Sequence, residues 1–254
     1  MKMKASFGTA LILALAACAV VVSSFGAAAV ADDGLYATAQ PVKPSPDWVV
    51  ALPAAQDPAT RQLVVVAGMG LDKSTASVSM HERGEDGKWR QLLSTPGYVG
   101  LNGMCPADKR VEGNKKTPIG VFRVGKAFGI EDDPGCPIPY VKVTDDLYWS
   151  GDHKKGMRYN ELVSIKDYPT LDTGNSEHLI EYEYPYRYCL DIGFNADCVV
   201  GRGSAIFFHC LGDARPYTSG CVAIPENKMK LVMQKIQEGC VFVVDTLENL
   251  GGSI

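Results

Sequence analysis

Three observations predict a mainly β domain with a few short helices. Short runs of β-branched and aromatic residues recur between turn residues. Gly (26) and Tyr (11) are as frequent as a strand-rich chain with many turns requires. Only one strong helical period occurs, and strands do not alternate with helices as a parallel βαβ sheet demands. With 46% apolar residues in a chain of 254, one sizeable core is available. A net charge of -4 excludes a strongly basic nucleic-acid binder. The same composition excludes disordered, collagenous and multi-span membrane chains.

The N-terminus opens Met1-Lys2-Met3-Lys4, and an almost wholly apolar run follows over residues 11–22. Lysines ahead of an apolar stretch and small residues form a secretory leader, with Ala29-Val30-Ala31 as the cleavage site. Two other readings share the same export. One is an uncleaved membrane anchor. In the other, Leu15-Ala16-Ala17-Cys18 resembles a lipobox and Cys18 carries lipid. The chain thus divides into a leader or anchor over 1–31, a Pro- and Ala-rich linker over 32–58, and a globular domain over 59–254. Pro41, Pro44, Pro46, Pro53 and Pro58 sit among small and polar residues, which makes the middle segment a tether. The membrane is met only through the N-terminal segment.

Along the domain, the β-branched run at residues 63–67 reads as a strand. Residues 78–82 and 88–92 flank Asp86-Gly87, a hairpin signal. The glycines at 68 and 70 followed by Lys73-Ser74 fall short of a phosphate loop, because Asp72 stands where a glycine must precede the lysine. Further strands are expected at 140–143, 179–184, 188–194 and 205–209. Met229, Val232, Met233 and Ile236 have helical spacing, with Pro225 ahead of them and Gly239 as a stop. Residues 240–244 form a closing strand.

Cys18 lies in the leader, leaving Cys105, Cys136, Cys189, Cys198, Cys210, Cys221 and Cys240. An odd number in an exported chain points to at least one free thiol. No CxxC or HExxH spacing occurs, so neither a metal site nor a cofactor is expected. Cys105 and Cys136 both stand in Pro- and Gly-containing loop sequence. They are a candidate cross-link; buried reduced thiols are the alternative.

Cys221 follows Thr218-Ser219-Gly220, and His209 stands twelve residues earlier at the end of an apolar run. A buried strand ending in histidine, a polar loop and a glycine-preceded cysteine bring imidazole and thiol together. Only a thiolate attacks a carbonyl well, and a nearby imidazole accepts its proton. Gly220 permits close backbone approach, so amides around Ser219, Gly220 and Cys221 are candidate oxyanion donors. The bland account is an inert buried cysteine and a hydrogen-bonded strand-end histidine. Asp213 or a backbone carbonyl would orient the imidazole. Arg215 is a candidate partner for a substrate carboxylate, with a solvated loop arginine as its alternative. His178 reads as structural, and Trp89, Tyr148 and Trp149 as core or rim.

At these residues the chain resembles the bacterial L,D-transpeptidases with a YkuD-type catalytic domain. Their signature is a histidine, a loop, then [Ser/Thr]-x-Gly-Cys, matched here by His209 and Thr218-Ser219-Gly220-Cys221. Lys116-Thr117-Pro118-Ile119-Gly120-Val121-Phe122 resembles the family's TPxGxF element, and Gly203-Ser204-Ala205-Ile206-Phe207 leads into the histidine. The similarity runs over about residues 62–244. Two positions depart from it: Cys210 stands where many members have glycine, and Ala223 where many have arginine.

The resemblance implies a β-sandwich-like domain that acts on peptidoglycan stem peptides in cell-wall biogenesis. It makes Cys221 the nucleophile, His209 the base, and a backbone carbonyl rather than Asp213 the partner of the imidazole. The expected product is a 3→3 cross-link made through a thioester at the cell envelope. An L,D-carboxypeptidase that trims stems is one alternative, and a non-catalytic wall-binding domain is another. A papain-like protease would place its cysteine before its histidine, the reverse of the order here.

Overall fold

A computed structural model describes residues 41–212 and 215–253. The leader, Cys18 and Asp213 lie outside the described residues. The chain begins with β1 (Lys43–Pro44), α1 (Asp47–Val50) and α2 (Pro53–Gln56). Three long antiparallel strands follow: β2 (Gln62–Gly68), β3 (Thr75–Arg83) and β4 (Trp89–Tyr98). Then come β5 (Met104–Pro106), β6 (Thr117–Arg123), β7 (Ala127–Gly129) and β8 (Tyr140–Lys142). β9 (Leu147–Trp149), β10 (Leu162–Ser164) and β11 (Glu177–His178) precede β12 (Cys189–Asp191). β13 (Phe207–Cys210), β14 (Val222–Ile224), α3 (Glu226–Lys235) and β15 (Val241–Thr246) complete the chain.

The main sheet runs β5-β6-β15-β2-β3-β4-β14-β13-β12-β7-β8, with β1 also paired to β4. β10-β9-β11 form a small second sheet. The mainly β expectation is met. Strand alternation explains why β2 is apolar at nearly every position. Val64 and Val66 face one core with Met80, Phe208 and Phe242. Leu63 and Val65 face the other with Val49, Leu52 and Ala55. β15 pairs with β2 in parallel and splits the same way, Phe242 and Val244 to one side and Val241 and Val243 to the other. A strand covered on both faces loses the polar alternation of an exposed one. α3 closes the first core with Met229, Val232 and Met233, at the spacing read from the sequence.

Three expectations need correction. Residues 43–56, read as part of a tether, fold: Val49 and Ala55 are fully buried, and the Trp89 indole N–H donates to the Ala55 carbonyl at 3.1 Å. Two of their prolines start helices instead of extending a linker, Pro46 as the cap before α1 and Pro53 at the first turn of α2. Residues 179–184 contain a 3-10 turn (Leu179–Glu181) where a strand was expected. There the chain must bury Leu179 and then turn before Pro185 to bring the Tyr186 ring edge-on to Phe207 at 5.5 Å. The strand expected over 188–194 ends at Asp191, because Gly193 and Asn195 take positive φ of 79° and 54°. Cys105 and Cys136 are both free thiols. Among the described residues, no helix is long and apolar enough to cross a membrane.

Candidate functional site

β13 and β14 lie side by side in parallel, with Phe208 opposite Val222 and His209 opposite Ala223. Cys221, one residue before β14, therefore comes alongside Phe207. Phe207 and His209 are two apart on β13 and share a face, which puts the imidazole one diagonal step from the thiol. Both side chains line one cavity of about 540 Å³. The core behind the thiol is aromatic: Phe207 packs edge-on to Phe128 and Trp149, at 5.2 and 4.7 Å, in the cluster that also holds Cys221.

The thiol is held by backbone groups. The Phe207 N–H donates to Cys221 Sγ at 3.3 Å, and the thiol donates to the Ala205 carbonyl at 3.2 Å. Ala205 reaches this position with φ of 53°, a left-handed conformation that a non-glycine residue rarely adopts. Its own N–H is anchored on Asn160 Oδ1 at 3.1 Å. Burial pushes the Cys221 thiol up to about 12, with a further upward push from the Glu177 carboxylate. The Phe207 amide and the Arg110 guanidinium act in the opposite direction. Burial likewise depresses His209 to about 4. The resting site thus holds a neutral thiol and a neutral imidazole at physiological pH.

His209 Nδ1 lies 2.8 Å from the carbonyl oxygen of Cys210. A carbonyl only accepts, so Nδ1 carries the proton and Nε2 presents its lone pair. Tyr186 packs edge-on to the ring at 5.6 Å. Its hydroxyl donates to Glu177 Oε2 at 2.5 Å.

The loop before Cys221 is fixed by two threonine hydroxyls. Thr117, fully buried at the start of β6, donates to the Gly220 carbonyl at 2.8 Å and accepts from the Gly100 N–H at 2.9 Å. Thr218 Oγ1 donates to the Cys221 carbonyl at 2.7 Å and accepts from the Gly220 N–H at 3.1 Å. That last bond corrects an expectation: the Gly220 amide is satisfied by Thr218 and does not face the cavity as a free oxyanion donor. Gly220 itself is required, since its φ is 141° and a β-carbon there would come within 3.1 Å of the Lys116 carbonyl.

Of the other expected residues, Ser219 and Arg215 line the cavity from exposed positions at its mouth. His178 lies off it, stacked on Tyr148 at 4.4 Å, with Nε2 2.7 Å from the Asp145 carbonyl oxygen. Arg110, Glu177 and Tyr186 also line the cavity and were not found from the sequence. Each reaches it from a segment far from position 221 in the chain, which leaves no local signal. Thr117 had one, as the first residue of the Thr-Pro element. Among the described residues, no group of three His, Cys, Asp or Glu side chains is placed to hold a metal ion.

The sequence matches the family model of YkuD, the L,D-transpeptidase catalytic domain, over residues 71–244. No curated protein matches. One similar solved structure is the helical cell shape determining protein Pgp2 from Campylobacter jejuni, at 15% identity and a TM-score of 0.39. The alignment covers 73% of this chain and 48% of that one, so the chain spans about half the length of Pgp2.

Proposed function

Because the chain belongs to the YkuD family of L,D-transpeptidase catalytic domains, we propose that it is an exported cysteine transpeptidase forming 3→3 cross-links between peptidoglycan stems. One observation carries this reading. The thiol of Cys221, one residue before β14, and an imidazole held as the Nδ1–H tautomer on the adjacent parallel β13 line the same cavity.

The acyl donor is a tetrapeptide stem. Cys221 Sγ attacks the carbonyl carbon of the third residue, and its proton passes to His209 Nε2. With the thiol pKa at about 12, the proton leaves as the S–C bond forms rather than beforehand. The Phe207 N–H that already meets Sγ favours the negative sulfur. Collapse of the tetrahedral intermediate breaks the bond to the terminal D-alanine, whose amine takes the proton from His209. A side-chain amine of a neighbouring stem then attacks the thioester, forms the new amide and returns the thiol. The route uses no metal or organic cofactor. The leader read over residues 1–31 supports a site of action at the cell envelope.

Intact mass spectrometry of the protein with a disaccharide-tetrapeptide tests the proposal, with Cys221→Ala as control. Release of D-alanine and a cross-linked dimer, both absent in the variant, is the expected result. Tripeptide without dimer would make the protein an L,D-carboxypeptidase, in which water takes the thioester. A variant that releases D-alanine at the unaltered rate would remove Cys221 from the reaction.

A further inference from the structure

We propose that Arg110 binds a carboxylate of the acyl donor and so selects the substrate, an assignment that rests on the transpeptidase reading above. Arg110 follows the 3-10 turn Ala107–Lys109 and is 3% exposed, yet its side chain lines the cavity that contains Cys221. One terminal nitrogen donates to the Val111 carbonyl. Nε is buried without a partner.

The guanidinium fills space that two glycines leave open. A β-carbon on Gly203 would lie 3.2 Å from Nη1, and one on Gly220 would lie 3.4 Å from Nη2. These glycines precede β13 and Cys221, so the cation sits where the two catalytic segments begin. The acid that most strongly sustains its charge against burial is Glu112. Yet Glu112 Oε2 already accepts from the Tyr159 hydroxyl at 2.5 Å, the Ser204 N–H at 3.1 Å and the Ser204 hydroxyl at 3.3 Å. Glu112 thus keeps Arg110 charged while its own oxygen is engaged elsewhere.

A planar fork that is almost wholly buried and keeps unused donors matches a carboxylate. The other cations lining the cavity, Lys115 and Arg215, are exposed and keep their hydration. A tetrapeptide donor presents a carboxylate on its terminal D-alanine. When its third residue is a diamino diacid, the side chain presents a second.

Binding to the full-length Cys221→Ala protein in detergent, measured by calorimetry, separates these sources. Three donors are compared: a diaminopimelate tetrapeptide, the lysine analogue lacking the side-chain carboxylate, and the D-alaninamide analogue lacking the terminal one. One analogue is expected to bind about 10- to 100-fold more weakly, the range for a lost charge-assisted pair. Adding Arg110→Gln should weaken the parent donor by a similar factor and leave that analogue no weaker than before. Arg110→Lys should recover part of the loss.

Equal affinity for all three donors overturns the proposal, even if Arg110→Gln fails to fold. So does a loss in Arg110→Gln that is the same for every donor. Donors that bind as expected while the unaltered protein releases no D-alanine leave the Arg110 assignment standing and remove the transpeptidase reading. Absence of all binding removes both.

Discussion

His209 is oriented by the backbone of its own neighbour: Nδ1 donates to the Cys210 carbonyl at 2.8 Å. The tautomer is therefore set by main chain, and the side chain at position 210 is irrelevant to it. Cys210→Ala should leave the rate of D-alanine release near that of the unaltered protein. His209→Gln should lower it by about 10²- to 10⁴-fold, the usual contribution of general acid–base catalysis. An unchanged circular dichroism spectrum would show that the fold survives. A large loss in Cys210→Ala would contradict the backbone account.

Thr117 links β6 to the nucleophile loop through a single hydroxyl. Thr117→Val keeps the shape but leaves the Gly100 N–H and the Gly220 carbonyl without this partner. Each buried group left unsatisfied costs about 1–3 kcal/mol, so urea denaturation should show a loss of about 2–6 kcal/mol. The same change frees the segment that positions Cys221. Acylation should therefore slow even at temperatures where the variant stays folded. A destabilised variant with an unaltered acylation rate would show that the loop keeps its geometry without Thr117.

The β-branched runs of β2 and β15 were legible because covering both faces of a strand demands apolar residues at nearly every position. α3 was legible from its spacing. Cys221 and His209 stood out because thiol, glycine and strand-end imidazole fall close together in the chain. Arg110, Glu177 and Tyr186 left no such trace, since they reach the cavity from segments far from position 221. Residues 43–56 failed for a different reason. Proline and small residues mark a linker as readily as the starts of two four-residue helices, and only the apolar face opposite them decides.

That apolar face yields a prediction about the domain boundary. Starting the chain at residue 59 would remove Val49, Leu52 and Ala55 from contact with Leu63, Val65, Trp89, Val241 and Val243. Burying a Val- or Leu-sized side chain contributes about 1.5–3 kcal/mol. Such a truncation should lose several kcal/mol by urea denaturation and bind a hydrophobic dye. A chain starting at residue 41 should do neither. Equal stability of the two would restore residues 43–58 to the linker.

Glu177 makes both stability and thiol reactivity depend on pH. Burial raises its carboxyl from 4.5 to about 7, against the opposing hydrogen bond from Tyr186. Below about pH 4.5 the group is protonated in folded and unfolded chains alike and carries no penalty. Between there and about 7 the unfolded chain ionises first, so folding stability falls as pH rises and levels off above 7. Glu177→Gln should therefore gain stability over the unaltered protein at pH 8 relative to pH 4.5. The gain is on the order of 2 kcal/mol, the full shift being discounted because this wall faces an open cavity. The ionised carboxylate also pushes the Cys221 thiol up. Glu177→Gln should accordingly speed iodoacetamide alkylation of Cys221 above pH 7 and leave it little changed below pH 5, followed by mass on the peptide containing that residue. Identical alkylation profiles for the two proteins would show that the Glu177 charge does not reach the sulfur.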